Sequence, residues 1–92
     1  MTSLLITHTI TGPLDEWIAT FSSFDEVRTA AGVTAVQVRQ GVDDPASLAI
    51  DLTFATTEEA RSFREFLETT VWPNSPHLGG TIPETRILEP LS

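Results

Sequence analysis

One stretch near the middle of the chain constrains the fold more than any other. Over the range Ser47–Ala55, large apolar residues alternate with small or polar ones, the apolar set being Leu48, Ile50, Leu52 and Phe54. An alternation with period two predicts a β-strand that has one apolar and one polar face. We expect the apolar face to pack on a core and the other face to meet a cavity, a second subunit or water.

The rest of the pattern predicts three more strands and two helical regions. The strands are expected over 4–10, 33–40 and 84–89, and the helical regions over 13–31 and 56–73, with an interruption of the first at Ser22 and Ser23. The element order is therefore β-α-β-β-α-β. This order is typical of a ferredoxin-like α+β fold, in which a four-stranded antiparallel sheet carries both helical regions on one face. We expect residues 1–92 to form one such domain, because the chain is too short for two cores.

Local signals indicate where the helices begin and end. Pro13 suits the first helical position, and Gly32 is a natural stop after the first helical region. Ser23 with Glu26, and Thr56 with Glu59, have the spacing of capping boxes at two helix starts. Proline cannot continue a helix interior, so Pro73 is expected to end the last one.

The charge of the chain excludes several classes of partner. The formal net charge is -8, and all five cationic residues are scattered arginines. Nucleic acids and anionic membrane surfaces both need clustered cations, so neither is an expected partner. No apolar run approaches the length of a membrane span. The N-terminus lacks the basic start and cleavage site of a signal peptide, so we expect a cytoplasmic protein.

The residue types that are missing restrict the chemistry. The sequence has no Cys, no Lys and no Tyr, which removes a thiolate nucleophile, a lysine Schiff base and a tyrosine acid. Acid–base work is left to the carboxylates and to two histidines, His8 and His77. Neither histidine has metal-ligand spacing with a carboxylate, so we expect no metal site.

Several runs of the sequence resemble a known superfamily. They are ITHTI (6–10), DEW (15–17), VRTAAGV (27–33), VDDP (42–45), LTFATTEEARSF (52–63) and IPETRILE (82–89). Together they resemble the small dimeric α/β-barrel proteins of the antibiotic biosynthesis monooxygenase superfamily, in particular a little-characterised, cyclase-like branch. The resemblance covers nearly the whole chain. It implies a homodimer whose two sheets pack face to face, with a pocket in each subunit between sheet and helices or at the barrel mouth.

The resemblance also suggests which residues form the site. Pockets in this superfamily commonly combine an asparagine or histidine on the first strand with a tryptophan and a further His or Arg. Here His8 falls on the first strand, Trp72 ends the last helix and His77 follows in the loop, while the only asparagine is Asn74. Haem-degrading members carry a proximal histidine on a helix, which neither histidine matches. We therefore expect no cofactor.

Each of these residues has a functional and a structural interpretation. His8 could transfer protons near neutral pH, or it could be a hydrogen-bonded histidine in an apolar strand row. Trp72 could stack on a flat ligand or hold the following loop on the core. His77 could belong to a lid or be solvent-exposed. Trp17 lies in a helical apolar stripe and is expected in the core.

A second set of candidate residues falls on the polar face of the organising strand. If the strands over 33–40 and 47–55 form a hairpin, Gln37 lies opposite Asp51 and Arg39 lies diagonal to it. These side chains could bind a polar or anionic ligand. They could equally hold the strand register or bridge two subunits.

These observations predict an enzyme or binder of small molecules whose specificity the sequence leaves open. One hypothesis is a cofactor-independent monooxygenase or cyclase-like protein acting on aromatic or polyketide-like compounds. A second is a module that binds such a ligand without changing it. The third is a purely structural homodimer, which predicts no enclosed cavity near His8.

Overall fold

The computed structural model describes residues 1–74 and 83–91. Its strands are β1 (Thr2–Thr9), β2 (Val33–Gln40), β3 (Ser47–Phe54) and β4 (Glu84–Leu88). Its α-helices are α1 (Leu14–Ser23), α2 (Asp25–Ala30) and α3 (Thr57–Phe66). A π-helical turn (Leu67–Val71) and a 3-10 turn (Trp72–Asn74) follow α3 directly. The predicted β-α-β-β-α-β order is confirmed, with the first helical region divided into α1 and α2.

The four strands form one antiparallel sheet in the order β2-β3-β1-β4. The organising strand β3 therefore lies inside the sheet, between β2 and β1. In the register, Ile6 is opposite Ile50 and Gln37 is opposite Asp51. The predicted ferredoxin-like α+β arrangement with a four-stranded antiparallel sheet is confirmed.

The core lies between the sheet and the helices. The four apolar residues of β3 are exposed by no more than 4%, and Leu4 and Ile6 of β1 are equally buried beside them. Trp17 of α1 and Ala60 and Phe63 of α3 cover this face. Burying such aliphatic and aromatic side chains is the main favourable term in folding a domain of this size. The opposite sheet face carries no helix among the described residues.

Two of the predicted helix signals are confirmed. Gly32 follows α2 with a φ of 101°, a left-handed conformation that glycine adopts without a Cβ penalty. At the start of α3, the Glu59 amide donates a hydrogen bond to Thr56 Oγ1 at 3.2 Å, so Thr56 is the N-cap.

The predicted capping box at Ser23 and Glu26 is wrong. Phe24 precedes α2, and no side chain caps that helix. Ser23 is instead the last residue of α1, and its hydroxyl donates to the carbonyl of Thr20, one turn earlier. Because α2 begins one residue later than this capping box requires, its N-cap position falls on Phe24, which has no side-chain acceptor.

The structure differs slightly from the two predictions about proline positions. Pro13 is the N-cap of α1 and not its first helical residue. Pro73 does not end the last helical region, because the chain continues through it in the 3-10 turn. Pro73 is the second residue of that short turn, where the N–H that proline lacks is not needed for a helical hydrogen bond.

Candidate functional site

A cavity of about 100 Å³ lies between the sheet and the helical layer. Strands β1 and β3 supply its floor, and α1, α2, α3 and the turns after α3 supply its walls. Its lining is strongly aromatic, the six rings being Trp17, Phe21, Phe24, Phe63, Phe66 and Trp72. Among the described residues that line it, only His8, Thr20 and Arg28 carry polar side chains, apart from the indole N–H groups.

His8 occupies the helix-facing row of β1 together with Leu4 and Ile6, so its ring lines the cavity. The ring nitrogens Nδ1 and Nε2 are both buried, and neither has a hydrogen-bond partner among the described residues. Burial also lowers the pKa of His8 below its usual value of 6.5. At neutral pH the ring is therefore neutral, with one nitrogen able to donate and the other able to accept a hydrogen bond.

A row of neighbouring aromatic rings leads away from His8 along the cavity wall. The His8 and Trp17 ring centroids are 6.2 Å apart at an interplanar angle of 45°. Trp17 stacks on Phe21 one helical turn later, with centroids 4.9 Å apart and planes 14° from parallel. The residues stack because their spacing by four places both rings on the same face of α1. Trp17 is thus in the core, as predicted, and also borders the cavity.

Arg28 of α2 closes this row, and the sequence analysis did not identify it as a site residue. Its guanidinium carbon lies 3.8 Å from the centroid of Phe21, and the residue is only 6% exposed. Nη1 donates to the carbonyl of Phe21 at 2.7 Å, and Nη2 lies 3.5 Å from a carboxylate oxygen of Asp25. Nε is buried and has no acceptor among the described residues.

The electrostatics of Arg28 follow from this environment. Burial lowers the pKa of the guanidinium from its usual value, and the nearby Asp25 carboxylate opposes that effect. An arginine stays protonated at neutral pH even so. One sequence signal could have found it: Arg28 follows Phe24 by four residues and Phe21 by seven, a spacing that places an otherwise surface-type residue on an aromatic helix face.

Trp72 lies in the 3-10 turn after α3 and is half-buried against the core. It lines the same cavity as His8, so the structure brings together these two predicted site residues. His77, the third residue predicted for this site, lies outside the described residues.

The predicted residues Gln37, Arg39 and Asp51 lie on the opposite face of the sheet. Gln37 pairs with Asp51 across β2 and β3, and Arg39 Nη2 lies 3.8 Å from Asp51 Oδ2. The proposed hairpin geometry is therefore correct. Arg39 is 59% exposed, so this ion pair is largely solvated, while Asp51 Oδ1 is buried without a partner in the described part of the chain. The sheet separates these three residues from His8 and Trp72.

The described residues offer neither a metal site nor a membrane-spanning helix. Residues 1–74 and 83–91 contain no cluster of three or more His, Asp or Glu side chains that could hold a metal ion. Within the same ranges, every helix is too short or too polar to cross a lipid bilayer.

Comparison with known proteins identifies the fold. Neither a protein-family model nor a curated protein matches the sequence. Among solved structures, the chain is similar to one from Bordetella bronchiseptica described as a "putative antibiotic biosynthesis monooxygenase". The TM-score is 0.71 at 12% sequence identity, over 99% of this chain and 97% of the other. The chain therefore has the ferredoxin-like α+β fold of that protein, which confirms at the level of the fold the resemblance found in the sequence.

Proposed function

We propose that this chain binds a small aromatic compound in the cavity beside His8 and acts on it as a cofactor-independent monooxygenase or cyclase-like protein. The observation that carries the proposal is an aromatic cavity that contains a neutral histidine with two unpartnered ring nitrogens. Flat apolar walls favour a flat apolar ligand, and a few polar groups fix its orientation. The fold shared with the Bordetella protein supports the same class of chemistry.

His8 is the residue that we assign to proton transfer. Its free nitrogen can accept a proton from a phenolic or enolic hydroxyl of the ligand, which makes the ring of the ligand more electron-rich. An electron-rich ring is what an oxygenation without cofactor or a ring-closing condensation requires. Trp72 and Trp17 would hold the ligand by contact with its faces.

The volume of the cavity restricts the ligand. An apolar cavity of about 150 Å³ is known to take up benzene, and the cavity here measures about 100 Å³. It therefore has room for about one ring before its walls must move. A polycyclic compound would extend beyond the cavity and would require displacement of a wall residue such as Trp72.

We also propose that the domain, residues 1–92, forms a homodimer through the sheet face that bears Gln37, Arg39 and Asp51. No helix of the described residues covers that face, and its central strands place small side chains such as Ala49 there. The buried, unpartnered Asp51 Oδ1 also favours a partner on this side. A cytoplasmic location stays a prediction from the sequence.

A non-catalytic binder is the second candidate, and one observation favours it. Burial lowers the pKa of His8, which makes its ring a weaker base than a free histidine. A purely structural homodimer predicts no cavity beside His8, so the cavity found there favours a role with a ligand.

The test is a turnover screen of the purified protein with quinols and phenols, following oxygen uptake and product formation. We expect turnover of at least one compound, and loss of about a hundredfold or more in His8→Ala, the usual scale of general acid–base catalysis. Thr9→Ala is the matched control, because Thr9 is exposed on the same strand and faces away from the cavity. Binding without turnover would support the binder, and turnover equal in both variants would contradict the role of His8.

A further inference from the structure

We infer that the ligand of the cavity carries an anionic oxygen on its aromatic ring, as a carboxylate or phenolate does, and that Arg28 binds this oxygen. This inference rests on the proposed function, since it assumes that the cavity takes a ligand at all. To the proposed function it adds two points, namely the charge of the ligand and the residue that recognises that charge.

The first argument is the incomplete pairing of Arg28. A buried charge is costly unless it is paired and fully hydrogen-bonded. Arg28 is 6% exposed, yet its one close hydrogen bond goes to an uncharged carbonyl, that of Phe21. Its ion-pair partner Asp25 is 3.5 Å away, and the Asp25 side chain is 78% exposed, so water screens that carboxylate. The Nε–H group is left with no acceptor in the described part of the chain.

The second argument is the local charge of the cavity. The chain has 13 acidic and 5 basic residues, so an arginine in an apolar wall runs against its overall balance. No carboxylate side chain is among the described residues that line the cavity. The cavity therefore presents a positive charge and no negative one, although the protein as a whole is acidic. An anionic group entering it would gain a charge-assisted hydrogen bond in a poorly hydrated environment.

The third argument is the distribution of polar groups along the wall. The row of contacts runs from His8 to Trp17, then to Phe21 and Arg28. The two side chains with unpartnered buried nitrogens thus stand at the two ends of a stacked aromatic surface. The anionic oxygen of a ligand would be placed at the Arg28 end of this surface, and the neutral His8 lies at the other end. Arg28 would also lower the pKa of a bound phenol, which makes its proton easier to transfer.

The experiment compares two probes of nearly equal shape, benzoate and benzamide. The two indole N–H signals in the NMR spectrum report binding, because both tryptophans of the chain line the cavity. We expect benzoate to bind at least about tenfold more tightly than benzamide, since a hydrogen bond between two charged groups is stronger than one to a neutral amide. In Arg28→Met this preference should vanish, so that the ratio of the two affinities falls to about one. Arg61→Met is the control, because it removes the same charge at an exposed position.

The possible results separate this inference from the proposed function. If benzamide shifts the indole signals and benzoate binds no better, the anion inference is wrong and the aromatic site stands. The same conclusion follows if Arg28→Met keeps the preference for benzoate. If neither probe shifts the signals, both the inference and the proposed function fail. Should Arg28→Met not fold, the comparison of the two probes on the wild-type protein decides alone.

Discussion

The guanidinium carbon of Arg28 lies 3.8 Å from the centroid of the Phe21 ring, while Nη1 donates to the carbonyl of the same residue. One side chain of α2 thus contacts both the ring and the backbone of Phe21 in α1. This double contact joins the two short helices, which otherwise pack on each other through few residues. It also holds the Phe21 ring against Trp17 in the cavity wall.

Removing this contact should destabilise the protein more than removing the ion pair beside it. We expect Arg28→Ala to lower the free energy of unfolding by about 1–3 kcal/mol, because a charged hydrogen bond and a cation–π contact are lost. Asp25→Asn should cost less than about 1 kcal/mol, because Asp25 is exposed and the pair is long. Arg28→Met should lie between the two, since it keeps the packing of the stem. Urea unfolding measures all three, and an equal loss in Asp25→Asn and Arg28→Ala would contradict this assignment.

Two neighbouring residues of α1 offer a matched test of the core. Trp17 is buried and stacked on Phe21, whereas Ile18 is 48% exposed. Trp17→Ala should lower the free energy of unfolding by about 3 kcal/mol, toward the small end for large aromatic residues because the site already borders a cavity. Ile18→Ala should change it by less than about 1 kcal/mol. Thermal unfolding followed by circular dichroism compares the two variants. Similar losses of stability would show that the apolar face of α1 packs on the core in a different way.

The sequence predicts the sheet well because its signals there are local and periodic. The alternation of Leu48, Ile50, Leu52 and Phe54 predicts both the strand and its buried face, and the hairpin prediction places Gln37 opposite Asp51 as observed. A period of two leaves only two choices of face, and the larger side chains decide between them. The fold resemblance then follows from the order of the elements.

The site is less predictable because it depends on tertiary packing. Strand phase places His8 in an apolar row, but only the fold shows that this row and Trp72 border one cavity. Arginine is usually a surface residue, and the burial of Arg28 depends on how α2 turns back against α1. Ser23 shows the same limit on a smaller scale, because the packing of α2 against α1 sets where α2 begins and so places Phe24, and not Ser23, at its N-cap.

Gly32 should be difficult to replace. Its φ of 101° disfavours any residue with a Cβ, and an added Cβ would overlap the carboxylate end of Glu59. We expect Gly32→Ala to lower the free energy of unfolding by about 1–2 kcal/mol, mostly from the backbone, since the Glu59 side chain can move aside. The double variant Gly32→Ala with Glu59→Ala, compared with Glu59→Ala alone, measures the backbone part. If the loss disappears in the Glu59→Ala background, contact with Glu59 and not the left-handed backbone is the cause.

The stability of the protein should depend on pH through His8. Burial lowers the pKa of His8 in the folded state below 6.5, so the unfolded chain binds more protons than the folded one between the two values. The free energy of unfolding should therefore fall as the pH drops through 6.5 and should level off below the folded pKa. In His8→Gln this contribution is absent, because glutamine does not titrate. The free energy of unfolding, measured at several values between about pH 7.5 and about pH 5.5, tests this prediction. Parallel pH profiles for wild type and variant would exclude an effect of His8.

The homodimer proposed for the outer sheet face can be tested with a single added charge. Ala49 lies on β3 opposite Thr7 of β1, on the face that bears Asp51 and away from the helices. In an isolated subunit, the side chain of Ala49→Glu would extend into water and leave the core intact. Between two packed sheets, however, it would bury a second carboxylate beside Asp51. Arg39, which lies opposite Ala49 on β2 and already pairs with Asp51, would then be shared between two buried carboxylates, which is unfavourable.

We therefore expect Ala49→Glu to elute as a monomer in size-exclusion chromatography with light scattering, with the circular dichroism spectrum of the wild type. Ala19→Glu is the matched control, because Ala19 is exposed on α1 in the helical layer, and it should stay dimeric. A wild-type protein that is monomeric at micromolar concentration would contradict the dimer outright. Dissociation by Ala19→Glu and not by Ala49→Glu would instead place the interface on the helices, and the outer sheet face would then be a solvated surface.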